Sequence, residues 1–248
     1  MKLLIDIGNT AVKFATLEND KLQYLDRFYL STLSIDVLNN VFKKIENIDE
    51  VVISSVVPNK NQLFDEYFYK KYNLTPRYIK VGDYPDIKIE IDNPNELGVD
   101  LYCDLVGASI IFNENKPIIV VDLGTASKLL LLDENKVFKS CAIVPGIEMS
   151  KKMLSKSTAL LPIADAKDIK KVTETRNTID VINSSVYFGH VEMINGLINR
   201  FEKEINKNCL YIITGGNASL VSKDLKQPHS DIELLSFIGM KQIINHRG

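Results

Sequence analysis

The chain has 248 residues, 45% of them hydrophobic and 25% charged, with a formal net charge of −2. That length and balance suit a globular protein of one large domain or two modest ones. They exclude a chain-wide basic field, and no apolar run reaches the length of a membrane span, so neither nucleic acid nor a membrane is expected as a partner.

Residues 2–7, 11–17 and 22–30 read as three strands joined by short polar turns, an antiparallel meander. Residues 33–46 follow helical period, with Val37, Leu38, Val41, Phe42 and Ile45 on one face. VVISSVV at 51–57 is a β-branched run stopped by Pro58, a buried strand. Residues 60–72 are helical, and the stripe Leu63, Phe64, Tyr67, Phe68 and Tyr72 reads as core. A strand is expected at 77–81, a loop around Pro85 and Pro94, and a helix from about Glu96 to Phe112. Asn113 to Lys116 forms a polar break.

From Pro117 the order repeats. Strands are expected at 118–122, 126–132 and 136–144, then a Pro145-Gly146 break and a helix at about 147–156. Residues 157–179 read as an irregular connection. A long helix follows from about Asp180 to Asn206, then strand 210–214 ending in Gly215-Gly216, a helix, strand 231–235 and a C-terminal helix near 236–246. The expected fold is α/β, two duplicated ribonuclease-H-like domains, 1–114 and 115–248, with a nucleotide cleft between them. This is the topology of the acetate and sugar kinase, Hsp70 and actin superfamily.

The turns carry the chemistry. Asp6-Ile7-Gly8-Asn9-Thr10 has a shortened echo in Asp122-Leu123-Gly124-Thr125, each after an apolar run and each followed by a second run and an acidic turn, at 18–21 and 133–136. Turns of Gly, Asn and Thr expose backbone N–H groups and hydroxyls that hold phosphates. One copy alone reads equally well as a ligand-free hairpin turn; the duplicate favours phosphate. Asp6, at the C-terminal end of its strand, suits a Mg²⁺-phosphate reached through water. Gly8 lets the backbone approach, Asn9 and Thr10 add an amide and a hydroxyl, and Lys13 adds a cation. Asp122, Gly124 and Thr125 offer a similar set. Thr214-Gly215-Gly216, between strand and helix, suits adenosine or phosphate, or is simply a tight turn. No GxxxxGK[ST] loop and no kinase Gly-rich loop with HRD and DFG is present. Asp100, near a helix start, reads first as an acid stabilising a helix N-terminus and second as a base for an alcohol.

Three scattered cysteines without a CxxC fit a reducing cytosol and argue against a disulfide framework or a zinc cluster. The chain begins directly in a strand, without a signal-peptide layout, and a cytoplasmic location is expected. His229 and His246 read as surface residues, and the pairs Lys43-Lys44, Lys70-Lys71, Lys151-Lys152 and Lys170-Lys171 as solvated faces.

DIGNTAVKFA at 6–15, ISSVVP at 53–58, NPNELGVD at 93–100, VDLGTA at 121–126, TALLP at 158–162, NT at 177–178 and TGGNASLV at 214–221 resemble, in order and spacing, the type III pantothenate kinases. The resemblance spans nearly the whole chain. It implies transfer of the γ-phosphoryl group of ATP to the terminal hydroxyl of pantothenate, the first step of coenzyme A synthesis. It also implies Mg²⁺, a monovalent cation (K⁺ or ammonium), and a homodimer with the substrate site at the subunit interface, the second half carrying the dimer contact.

By the same resemblance, Asp6, Ile7, Gly8, Asn9, Thr10, Ala11, Val12 and Lys13 bind the ATP phosphates, and Thr125 contacts ATP. Asp122 holds the monovalent cation. Asp100 is the base within the substrate segment Gly98, Val99, Asp100 and Leu101, and Thr178 reaches pantothenate across the dimer. Four departures stand out. Leu101 replaces the family's Arg, Ile91 its Tyr, Ser127-Lys128 its two Thr, and Ser140-Cys141-Ala142-Ile143-Val144 its Gly-rich run. Leucine cannot make the charge-assisted fork that Arg gives a carboxylate. Lys128 is one candidate for the missing positive charge. The alternative to a kinase is a divergent, non-catalytic or altered-substrate homologue that binds nucleotide or a pantothenate-like ligand as a sensor.

Overall fold

The computed structural model describes residues 1–43, 45, 47–112, 114–164 and 169–246. Lys44 of the first basic pair, Glu46 at the end of the helix expected over 33–46, Asn113 at the head of the expected break, and 165–168 within the expected irregular connection lie outside the described residues.

The first unit comprises Met1–Glu114, with Asn135–Phe138 and the residues from Leu234 on. Its sheet contains β1 (Lys2–Ile7), β2 (Ala11–Glu18), β3 (Lys21–Tyr29), β4 (Glu50–Ser55) and β5 (Arg77–Tyr78), in the order β3-β2-β1-β4-β5. The meander β1-β2-β3 is antiparallel, as expected, and β4 and β5 extend it in parallel. β1 is buried after its first residue and β4 in its four central residues, with Leu and Ile in the first and Val and Ile in the second, which is the signature of a central parallel pair.

Helix α1 (Ile35–Val41) is shorter than expected. Ser34 caps it by accepting the Val37 N–H at 3.3 Å, and the chain leaves the helix at Phe42. In α2 (Asn61–Tyr72) the aromatic stripe is core: Phe42, Tyr67 and Phe68 meet edge-on or tilted at centroid distances of 5.3–6.0 Å, and Phe14 adds a T-shaped contact with Phe42. β5 covers only two of the five residues expected. The pair β6 (Lys88–Ile89), in the expected loop, joins Val137 and Phe138 in parallel.

Helix α3 (Val99–Ile111) is buried nearly all round, and α7 (Leu235–His246) lies against it. Against the expected division at 114/115, α7 therefore groups with the first unit. The contact is made by glycines, since a Cβ on Gly239 would sit 1.8 Å from the Cys103 carbonyl oxygen and one on Gly107 2.5 Å from the Leu235 carbonyl oxygen.

The second unit comprises Asn115–Glu134 and Lys139–Glu233. It holds β7 (Ile118–Leu123), β8 (Ala126–Leu132), most of β9 (Val137–Pro145), α4 (Ile147–Ser157), α5 (Thr178–Ile205), β10 (Leu210–Thr214), α6 (Ala218–Val221) and β11 (Ser230–Asp231). Its strands run β11-β10-β7-β8-β9, with β7-β8 antiparallel and β10 parallel to both β7 and β11. β11 is a two-residue strand that begins one residue before the expected 231–235. The buried face of α5, including Tyr187, Val191, Ile194 and Ile198, packs with Val121, Leu129 and Ile213. Lys151, expected on a solvated face, is buried, because it lies on the inner side of α4 with its ammonium on Glu148, 3.2 Å away.

No described helix is long and apolar enough to cross a membrane. The three cysteines are free thiols.

Candidate functional site

In the first unit, β1 ends at Ile7 and β2 begins at Ala11, leaving Gly8-Asn9-Thr10 as the turn. The Gly8 N–H donates to the Ala11 carbonyl at 2.9 Å, and the Leu30 N–H donates to the Thr10 carbonyl at 2.8 Å. The turn is thus closed from within and held from the residue after β3, while Asn9 and Thr10 stay exposed. Behind it Asp6 is buried, directly across the β1-β2 ladder from Lys13, whose Nζ stands 3.9 Å from Asp6 Oδ2.

Gly98 caps α3, and Asp100 lies in the first turn with Oδ1 accepting the Leu101 N–H at 2.8 Å. Asp100 thus stabilises the helix start, and its carboxylate is half-buried. A Cβ on Gly98 would lie 2.5 Å from that Oδ1. The obstructed atom is the end of a side chain, so the fold can yield while the carboxylate moves. Gly98→Ala is accordingly expected to displace the Asp100 carboxylate with little change in thermal unfolding. A variant with unaltered turnover would show that the position of Asp100 is not critical.

The Cys103 thiol is pushed well above its usual range, chiefly by burial and then by the charges of Asp6 and Asp104, with Asp100 adding to them. Three carboxylates thus act on one buried thiol. Asp104 is one residue not singled out in the sequence. It is buried, one turn after Asp100 on the same helix face, and its i, i+4 spacing from Asp100 was the available signal. Leu101 is only 8% exposed and is part of the core.

The second unit repeats the arrangement. Gly124 and Thr125 form the turn between β7 and β8, and Asp122 faces Lys128 directly across that ladder. Here the pair is close, with Lys128 Nζ donating to Asp122 Oδ2 at 2.7 Å. The Lys128 charge is therefore engaged with Asp122, and this bears on its candidacy for the missing substrate cation.

Two further segments brace the turn. The Gly146 N–H donates to the Thr125 carbonyl at 3.1 Å, and any Cβ on Gly146 would meet that oxygen at 2.5 Å. Asn217 donates its backbone N–H to the Leu123 carbonyl at 2.8 Å and its Nδ2 to the Gly124 carbonyl at 3.2 Å. Gly215, at φ +95°, brings its backbone against Asp122, and a Cβ there would lie 2.5 Å from Oδ1. Gly216 is exposed beside it. Next to Lys128 on β8, Ser127 is buried and its Oγ meets His190 Nε2 of α5 at 3.0 Å. Burial lowers the His190 pKa, which keeps the ring neutral. Asn217, Gly146 and His190 were not singled out as site residues in the sequence; TGGN and Pro-Gly were the signals for the first two, and His190 had none.

The structure thus pairs Asp6 with Lys13 in the first unit, where Asp100 stands at the start of α3, and brings Asp122, Thr125, Gly215 and Lys128 together in the second. Thr178 is exposed at the start of α5, whose cap is Asn177 accepting the Asp180 N–H at 2.9 Å. Among the described residues no group of three or more His, Cys, Asp or Glu side chains is arranged to hold a metal alone.

A family model described as type III pantothenate kinase matches residues 2–200. The type III pantothenate kinase of Ehrlichia canis is 34% identical over 235 residues, covering 89% of this chain and 86% of the relative. That of Thermosipho melanesiensis is 34% identical over 244 residues, covering 94% of each. Component A of the Acidaminococcus fermentans (R)-2-hydroxyglutaryl-CoA dehydratase shares the fold with a TM-score of 0.55 at 16% identity, covering 97% of this chain and 94% of that one. With two meander-based α/β units, a doubled acidic-Gly-Thr turn and a family match over most of its length, this chain belongs to the type III pantothenate kinase family.

Proposed function

We propose that Asp100 accepts the proton of the pantothenate hydroxyl as that hydroxyl attacks the γ-phosphorus of ATP. Pantothenate phosphorylation in coenzyme A synthesis follows from the family; the residue roles are our reading. The observation that carries it is the half-buried Asp100 carboxylate, fixed at the start of α3 by the Leu101 N–H. An ordinary Asp, with a pKa of about 3.9, is ionised at neutral pH and ready to accept a proton.

Residues Asp6 to Lys13 hold the phosphates, through the exposed turn and the Lys13 ammonium. Thr125 contacts ATP, and Gly215-Gly216 allow close backbone approach. Phosphoryl transfer asks mainly for positioning and charge stabilisation, which these turns supply. Asp6 fits a magnesium ion carried by the nucleotide: it is a single buried carboxylate behind a turn with exposed donors, and such ions are bound by one or two carboxylates plus phosphates. Mg²⁺, when bound, offsets charge on the transferring phosphoryl group. A monovalent cation at Asp122 fits poorly, because Lys128 already occupies Oδ2. The test is ADP release that requires both pantothenate and Mg²⁺; absence of such turnover in protein that binds ATP would favour the sensor reading. The location we assign is the cytoplasm.

We also assign a homodimer, with Thr178 acting across its interface. What supports it is an apolar surface around α4 and the segments after it, where Leu160 is 92% exposed and Ile163 70%, with Met153, Val172 and Val181 also exposed. Leu160→Asp is expected to shift the protein from dimer to monomer in sedimentation and to lower turnover with it. A wild-type protein that sediments as a monomer at assay concentration would end this reading.

A further inference from the structure

We propose that Lys128 is a built-in cation for the second turn, so that this enzyme works without the diffusible monovalent cation implied for its family. The inference rests on the kinase reading above. Its basis is geometric. Asp122 is the last acid before the turn, and its side chain is 15% exposed, against 20% for Lys128. A carboxylate so enclosed needs a compensating charge, because one left alone is strongly destabilising. That charge is present in the chain: Lys128 Nζ stands 2.7 Å from Oδ2, and the two residues are direct partners across the β7-β8 ladder.

The surroundings of Asp122 are filled by other groups as well. The Gly215 backbone packs against Oδ1, Gly124 lies alongside both oxygens, and Cys141 on β9 responds electrostatically to both Lys128 and Asp122. A lysine ammonium is itself a monovalent cation with three donors, tethered instead of free. The first unit supplies an internal comparison. Asp6 and Lys13 occupy the same ladder relation, acid before the turn and lysine after it, at the looser 3.9 Å. The acid-lysine pair is thus used twice, and in the second turn it is a formed hydrogen bond. Lys128 acts as a positioning residue, holding Asp122 beneath the Gly124-Thr125 turn.

The experiment uses the full chain in tetramethylammonium buffer at constant ionic strength, titrated with potassium or ammonium chloride. Two readouts are followed: pantothenate-dependent ADP release, and ATP affinity by calorimetry. Wild type is expected to be flat in both. Lys128→Ala is expected to be slower by about 10²-fold without potassium, the scale of one lost preorganised donor, and to recover as potassium or ammonium is added. Lys128→Arg, which keeps the charge, is expected to stay independent of potassium. Saturable activation of wild type by potassium overturns the proposal, whether or not any variant folds. So does a folded Lys128→Ala protein that stays slow at all potassium concentrations. ATP binding that is independent of potassium, in protein with no pantothenate turnover, overturns the kinase reading and leaves the tethered cation standing.

Discussion

Asp100→Asn is expected to reduce pantothenate-dependent ATP turnover by about 10²- to 10⁴-fold, the usual contribution of a positioned proton acceptor, while the protein remains folded. The substitution is nearly isosteric. The amide oxygen can still accept the Leu101 N–H that Asp100 Oδ1 accepts now at 2.8 Å, so the helix start is kept. What is lost is the charge near the α3 N-terminus, about 0.3–1 kcal/mol of dipole stabilisation. Stability therefore changes little and chemistry changes much. The check is initial-rate ADP release at saturating ATP and pantothenate, run with a thermal unfolding scan of both proteins. If the variant turns over as fast as wild type, Asp100 is a capping residue only. The base must then be sought elsewhere, Asp104 being the other carboxylate on that helix face.

The contrast between what could and could not be read from the chain follows from distance along it. The central strands were legible because runs such as KLLIDI and IIVVDL are local signals, and each ends in a turn whose Gly and Thr are themselves local. The two-residue pairs β5, β6 and β11 carry no period, and β6 was missed altogether. Asp6 and Asp122 could be named as site residues from their turns. Their partners depend on ladder register, which places Lys13 and Lys128 across from them after turns of different length. That is why the sequence names Lys128 as a candidate charge for substrate without showing its hydrogen bond to Asp122. Ser127 and His190 are 63 residues apart, and only the packing of α5 on β8 joins them. Leu101 shows a third case: a residue judged by the Arg it replaces, whose own environment is a buried core position.

Gly239→Ala is expected to be the most destabilising single methyl in the first unit. Local preference points the other way, since alanine in a helix interior is better than glycine by about 0.8–1.0 kcal/mol. Packing decides the sign. The added Cβ would lie 1.8 Å from the Cys103 carbonyl oxygen, 2.7 Å from its carbon and 3.0 Å from the Gly107 nitrogen. All three are backbone atoms of α3, so no rotamer change relieves the overlap, and the two helices must separate. Overpacking of this kind costs about 1–3 kcal/mol and occasionally more, and a clash against backbone on both sides belongs at the upper end. For a protein of this size, a loss of about 3 kcal/mol lowers the unfolding midpoint by roughly 6–12 °C. Gly107 makes the reciprocal contact, 2.5 Å from the Leu235 carbonyl oxygen, so separation at one glycine loosens the other. Because α3 also carries Asp100 at its start, the helix shift should lower turnover at temperatures where the variant is still folded. Thermal or urea unfolding followed by circular dichroism measures the first effect, and ADP release at low temperature measures the second. A Gly239→Ala protein as stable as wild type would mean that α3 and α7 do not pack at glycine distance.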